Sequence, residues 1–463
     1  MNNNLGQKLK SMLGLENVLQ GDRVESRNPG YCSDSMKAGI VLLPRSTAQV
    51  AEICAFAHDQ NIALIPHGGL TGLVDGTASE PGQIIVSFEK MNKILRVDPD
   101  QAIVEVEAGA TLEAIIEAVD EYGLMLGIDI PSRGSCVAGG LASTNGGGVR
   151  VIRYGMAREN ILGIECVLPN GQIIDSTNTL LKNNTGYDLK HLFIGAEGSL
   201  GLITRVVFRL TPKPSSLSTA LIACASLENM IKLLTLVRNR LAGNLLSFEA
   251  MWPEYYHLTT AQPGFGRKPI EDDYEVYGVV EAGGWGDQIA ADSLEAVLAE
   301  AFDSGLLEDA ALASSEAERQ SIWRAREDSD AIEFGFDHCL TYDVGCEIQY
   351  LQKLVSKLRE NFSSKHPGIT LYVFGHLGDG NLHLMLGLGD DEFPGRDPID
   401  RTIYDTLGEF PNSTISAEHG IGLEKKAFLG RSRSDAELDL MKMLKSYIDP
   451  KNILNPDKIF SLS

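Results

Sequence analysis

The sequence predicts an α+β protein of two consecutive domains, on three observations. Between residues 40 and 214, short β-branched runs alternate with helical patterns and glycine clusters. At Thr211-Pro212-Lys213-Pro214-Ser215-Ser216 that alternation breaks, because prolines remove ladder donors and serines favour loops. Beyond it, strand-like runs interleave with longer helical patterns, for which an antiparallel sheet covered by helices is the economical arrangement. The expected division is an N-terminal helical segment at 1–39, a first domain at 40–214, a second domain at 215–416 and a C-terminal segment at 417–463.

Residues 1 to about 20 read as a short amphipathic helix. In the first domain, strands are expected at 40–43, 63–65, 84–88 and 103–107. Helices at 47–58 and 111–122 each open on a threonine suited to an N-cap. In the second, strands at 220–223, 274–280, 371–374 and 382–386 separate helices at 227–241, 290–304, 314–334 and 349–362. A last helix at 435–447 meets Asp449-Pro450-Lys451-Asn452-Ile453-Leu454-Asn455-Pro456, whose prolines prevent its continuation.

A chain of 463 residues with 43% apolar and 22% charged residues can bury more than one core and is neither disordered nor a membrane bundle. No run approaches membrane-spanning length. The net charge of -23 disfavours nucleic acid and anionic lipid as partners. Seven scattered cysteines without C-x-x-C spacing fit a reduced, cytoplasmic setting. The N-terminus lacks the apolar core and cleavage site of a signal peptide and the arginines of a mitochondrial presequence.

Two glycine-rich loops carry the first chemical signal. Pro66-His67-Gly68-Gly69-Leu70-Thr71-Gly72-Leu73 follows the apolar run Ala63-Leu64-Ile65. Successive glycines there let backbone N–H groups converge on a diphosphate. The second, from Pro131 through Gly134, Ser135, Gly139, Gly140, Ser143, Asn145 and Gly147 to Gly148, holds so much glycine that regular structure is disfavoured unless backbone lies against a ligand or a packing corner. Neither matches G-x-G-x-x-G opening a helix, so a nicotinamide site of the Rossmann type is not supported.

The second signal is Thr370-Leu371-Tyr372-Val373-Phe374-Gly375-His376-Leu377-Gly378-Asp379-Gly380-Asn381-Leu382-His383. Read as two strands joined through a two-residue Asp379-Gly380 turn, it sets His376 directly opposite His383. Cβ atoms roughly 5 Å apart would let two imidazoles share a metal. Ala417-Glu418-His419-Gly420-Ile421-Gly422 adds a carboxylate beside a histidine. His, His and Glu make a three-ligand set with positions open for substrate. A lone histidine is usually a structural side chain; the constellation is what suggests chemistry.

A third segment, Asn184-Thr185-Gly186-Tyr187-Asp188-Leu189 and Phe193 to Thr204, contains Glu197, Gly201 and Ile203. In this order and spacing the three segments resemble the FAD-binding domain of the vanillyl-alcohol-oxidase superfamily. The resemblance implies two α+β subdomains with FAD extended between them. It implies diphosphate contacts from the first loop (Pro66, His67, Gly68, Gly69, Leu70, Thr71, Gly72, Leu73). Flavin and adenine contacts would come from Pro131, Gly134, Ser135, Gly139, Gly140, Ser143, Asn145, Gly147, Glu197, Gly201, Ile203 and, in a tail that returns to the flavin, Asn455. In that superfamily a histidine in or near the first glycine loop, where His67 sits, is often the covalent attachment point, but the nearest subfamily usually holds FAD noncovalently.

The hairpin and the Glu418-His419 turn resemble the D-2-hydroxyglutarate and D-lactate dehydrogenases of that superfamily. The likeness implies that His376, His383 and Glu418 hold a divalent metal, zinc in kind, and that His419 is the base. Arg326 would then anchor a substrate carboxylate while a D-2-hydroxy acid gives its hydride to FAD. An electron-transfer flavoprotein or quinone is the implied acceptor and a homodimer the implied assembly. Three positions depart from the family. Asp330 replaces a threonine and could pair with Arg326 at i,i+4, Thr341 replaces a lysine, and Met385 replaces an asparagine. These favour a monocarboxylate with an apolar side chain over 2-hydroxyglutarate. Trp252, Tyr255 and Tyr256 are candidates for its pocket, or for core. An oxygen-using FAD oxidase remains open from sequence; a flavin or metal sensor would not need His419 beside Glu418.

Overall fold

The computed structural model describes residues 3–286, 288–390 and 393–462. The first two residues of the expected N-terminal helix lie outside these; the helix runs Asn3–Leu13. The chain divides into two compact units. The first takes the sequence up to Gly148, then Tyr154–Lys213, then everything from Glu418 onward; the second takes Val149–Arg153 and Pro214–Ala417.

The first unit holds two sheets. In the smaller, strands Val18–Gln20, Ile40–Leu42, Ile84–Ser87 and Leu64–His67 lie side by side in that order, the last three parallel. The crossover helix Thr47–Gln60 buries Val50, Ile53, Cys54 and Ala57, the spacing of one helical face. Its cap is Ser46 rather than Thr47: the extended backbone of Ser46 lets its hydroxyl accept from the Gln49 N–H. Thr111 does cap Leu112–Asp120, accepting from Ala114 at 3.2 Å. The larger sheet is built on strand Leu202–Pro212 between Ile103–Glu107 and Ile161–Val167.

Within the second glycine-rich stretch the chain forms the helix Ala138–Thr144, where the composition argued against one. Two interior glycines cost about 1 kcal/mol each in a helix. Close packing offsets this: a Cβ on Gly139 would sit 2.7 Å from that of Ala108.

The C-terminal segment closes the small sheet's edge. Leu64 N–H donates to Ile453 O at 2.7 Å and Asn455 N–H to Leu64 O at 2.8 Å. Buried Lys445 fixes that segment, donating to Asp449 at 2.5 Å, to Ser199 O at 2.9 Å and to Leu454 O at 2.8 Å.

The second unit is a seven-stranded antiparallel sheet. Its order is Asp309–Leu312, Ser216–Cys224, Val276–Gly284, Leu245–Met251, Thr370–His376, Asn381–Leu388, His338–Gly345. One face buries Leu221, Met251, Tyr277, Tyr372, Phe374 and Met385 with residues of helices Pro253–Thr260 and Glu316–Glu327. The expected helix at 314–334 is two. It stops at Glu327 because Asp328 leaves helical geometry at ψ 79°, and Asp330–Glu333 restarts separately. Asp330 therefore does not stand one turn beyond Arg326 on a continuous helix.

Candidate active site

The first glycine loop leaves the edge strand Leu64–His67. A Cβ on Gly69 would lie 1.8 Å from Ser135 O, and one on Gly68 2.8 Å from Val137 Cγ2, so only glycine lets the two loops touch. A Cβ on Gly72 would meet nothing within 4 Å. Among the described residues, the backbone N–H groups of Gly69 to Leu73 have no protein acceptor. A run of donors without a protein acceptor, with open space beside Gly72, suits a diphosphate. Asn455 gives a second sign: it is 2% exposed, its Nδ2 donates to Glu197 O (2.7 Å) and Gly76 O (3.2 Å), and its Oδ1 has no partner. A buried acceptor left open fits a donor on a bound cofactor.

Glu197 ties the same unit together. At φ 50° it is buried; its N–H donates to Ser143 O at 2.8 Å, and its carboxylate accepts from Ile421 N–H at 2.7 Å and Gly422 N–H at 2.8 Å. Burial pushes its pKa up, against the pull of those two amides. The His67 ring is 2% exposed and its Nε2 lies 3.0 Å from Thr77 O, to which it donates. Burial holds its pKa down to about 4. Asn145 ends the glycine-rich helix in the left-handed region and accepts from Arg158 N–H at 2.9 Å. Gly201 packs on Phe193, Ile203 lies in the core, Gly147 is buried, and Pro131, Gly134 and Ser135 are exposed.

The hairpin's register differs from the sequence reading. The strands end at His376 and resume at Asn381, so His376 faces Asn381 and His383 faces Phe374. Only Gly380 of the pair Asp379-Gly380 has positive φ, so a two-residue type I′ turn is absent. Instead Asp379 and Gly380 N–H both approach His376 O at 3.2 Å, and Gly378 N–H donates to Phe248 O at 3.0 Å. The slip is two residues, which preserves the face. His376 and His383 are diagonal neighbours, with Nε2 atoms 3.3 Å apart. Two nitrogens bound at zinc distances in a tetrahedron stand roughly 3.3 Å apart, so the pair has ligand spacing.

Two carboxylates that sequence reasoning missed surround the pair. Glu249, 1% exposed, faces His376 Nδ1 at 2.9 Å and the Arg326 Nε at 2.9 Å. Asp343, fully buried, accepts from Asn381 Nδ2 at 2.7 Å and from the Ala417 N–H at 3.0 Å, and offers an oxygen within 4.8 Å of a His383 nitrogen. A signal existed for both: each is a lone acid inside an apolar strand, LLSFEAM and LTYDVG, where an unpaired charge would be prohibitive. The Arg326 guanidinium is 4.8 Å above the Phe374 ring. Tyr255 stacks on Phe374 and Tyr256 on Tyr277, both fully buried, and Trp252 is 5% exposed, so this aromatic cluster is core.

Glu418 and His419 follow Ala417 in the chain and open the first unit's C-terminal segment. Both are half-buried, and a Glu418 oxygen accepts from Gly148 N–H at 2.8 Å.

Residues 38–177 match the FAD binding domain family and residues 213–459 the FAD linked oxidases, C-terminal domain. The D-2-hydroxyglutarate dehydrogenases of Arabidopsis thaliana and Bos taurus are 35% and 36% identical to this chain, covering 97% and 91% of it and 80% and 76% of their own lengths. The D-2-hydroxyglutarate–pyruvate transhydrogenase of Saccharomyces cerevisiae is 31% identical over 97% of the chain and 92% of its own. A substrate-bound p-cresol methylhydroxylase structure superposes with a TM-score of 0.79 at 16% identity, covering 99% of this chain and 97% of that one. The fold is thus of the vanillyl-alcohol-oxidase type, and its class is FAD-dependent oxidoreductase. The chain belongs to the FAD-linked oxidase family and, within it, is an FAD-dependent D-2-hydroxy-acid dehydrogenase.

Proposed function

We propose that the substrate is a D-2-hydroxy acid with an uncharged side chain, bound at the polar end of the second unit's sheet. The observation that carries this is the row of side chains next to the histidines. His383 is flanked by Asp343 and Phe374; two residues on, Met385 is flanked by half-buried Thr341 and by Tyr372, with Met385 and Tyr372 themselves packed into the buried face. That row contains no cation for a distal carboxylate, and Arg326, whose guanidinium lies over Phe374, is ion-paired with Glu249. A second reading, 2-hydroxyglutarate, is favoured by the names of the relatives.

In this reading His376 and His383 hold a divalent metal, zinc in kind, with Glu418 the further ligand that the family likeness implies, and support comes from the 3.3 Å nitrogen spacing of the two histidines. When bound, the metal would supply a Lewis acid that lowers the pKa of the substrate hydroxyl, and FAD would supply the hydride acceptor. His419 takes the hydroxyl proton as general base. Asp343 holds Asn381 and the Ala417 N–H, so that little reorganisation accompanies the reaction. FAD is held noncovalently, in keeping with the His67 ring being turned to Thr77 O. Electrons leave to an electron-transfer flavoprotein or quinone. Among the described residues no helix is long and apolar enough to cross a membrane.

The test is anaerobic bleaching of the flavin absorbance by a panel of D- and L-2-hydroxy acids. Fastest bleaching by an apolar D-monocarboxylate supports the proposal; fastest bleaching by D-2-hydroxyglutarate selects the second reading; no bleaching by any of them sinks both.

A further inference from the structure

We infer that Glu249 is a positioning residue that fixes His376 for metal ligation while holding Arg326 in place beside it. This rests on the proposed metal reading and adds a residue to it. Strand Leu245–Met251 pairs with Thr370–His376 through Ala250 opposite Gly375, so the residue before Ala250 comes opposite His376 on one face. A buried carboxylate at that point is costly unless both oxygens are engaged. They are: both oxygens stand 2.9 Å from His376 Nδ1, and Oε2 also meets Arg326 Nε and Nη2, each at 2.9 Å.

Each contact has a consequence on the far side of its partner. With Nδ1 donating to Glu249, the lone pair of His376 is on Nε2, the atom that faces His383 Nε2. A carboxylate behind a ligating imidazole fixes its tautomer and raises its basicity. Arg326 is held by Glu249 Oε2, which meets both Nε and Nη2, by the Phe374 ring beneath it and by the Tyr255 hydroxyl donating to its carbonyl at 2.8 Å. One carboxylate thus couples ligand and arginine, and charge lost at Glu249 should be read at the metal.

Wild type, E249Q, R326K and H383A are purified with FAD, stripped with a chelator, and titrated with zinc against a chromophoric competitor; the visible bands of the cobalt(II) forms are recorded in parallel. E249Q should bind zinc 10- to 100-fold more weakly and shift the cobalt bands, R326K should stay within a few-fold of wild type, and H383A should lose the ion. E249Q matching wild type while H383A loses zinc overturns the positioning role. So does R326K weakening zinc as much as E249Q, since the carboxylate would then act only through general packing. Zinc retained by H383A overturns the underlying metal reading instead. Should E249Q not fold, nitrogen NMR of zinc-loaded wild type decides: ligation through His376 Nε2 with the proton on Nδ1 is expected, and ligation through Nδ1 overturns the inference.

Discussion

His383 lies diagonally across its hairpin from His376, with Asn381 taking the directly opposed place, and the two Nε2 atoms stand 3.3 Å apart. The diagonal brings the rings to 5.1 Å between centroids, nearly perpendicular, so each presents a nitrogen edge to the other. Incubation with EDTA should therefore abolish flavin bleaching while FAD stays bound, and zinc should restore it. His383→Asn should give the same loss without rescue. Bleaching unchanged after chelation, in protein verified by mass spectrometry to be metal-free, would remove the ion from the reaction.

The row Thr341, Met385 and Tyr372 sets the next prediction. Thr341→Lys brings an ammonium opposite Met385, where a distal carboxylate would gain roughly 1.4 kcal/mol in a partly buried site, or about tenfold. The ratio of kcat/KM for D-2-hydroxyglutarate to that for an apolar D-2-hydroxy monocarboxylate should rise by that factor. A ratio that does not move places the substrate's side chain elsewhere.

How much of this was legible in the sequence depends on whether local or tertiary forces decided each element. Helix Leu227–Leu241 and strand Ile103–Glu107 follow their periodicity to the residue. The glycine loops were legible because backbone contact leaves a compositional mark. The hairpin's loop length was not: Asp-Gly marks a turn, but here Gly378 is pinned by Phe248 O and packed on Ile152, and Gly380 against Cys346 O, contacts from distant sequence that favour four residues. The helix Ala138–Thr144 was hidden because packing on Ala108 outweighs glycine's propensity. Glu249 and Asp343 carry no motif; their meaning appears only when the sheet register puts them beside the histidines.

Gly69 and Gly72 separate fold from cofactor. Gly69→Ala drives a Cβ to 1.8 Å from Ser135 O and should lower the thermal midpoint and FAD content together. Gly72→Ala meets no protein atom within 4 Å, so the apoprotein should melt within about 1 kcal/mol of wild type. Its FAD affinity should nonetheless fall, because the methyl group enters the space above the loop's free donors. Fluorescence titration of apoprotein with FAD checks this; wild-type affinity in Gly72→Ala would mean the diphosphate does not lie over that turn.

His67 gives a pH dependence whose sign follows from its burial. The unfolded ring takes up a proton below about pH 6.5, but the buried one only below about 4. Between these values the unfolded state binds more protons, so the stability from keeping His67 neutral is complete above pH 6.5 and is lost as pH falls toward 4. At that limit the loss is of order 3 kcal/mol. His67→Gln can still donate to Thr77 O but cannot titrate, so its thermal midpoint should start below wild type at pH 7.5 and approach it by pH 5. Midpoint curves that stay parallel across that range would show that His67 titrates alike in the folded and unfolded protein.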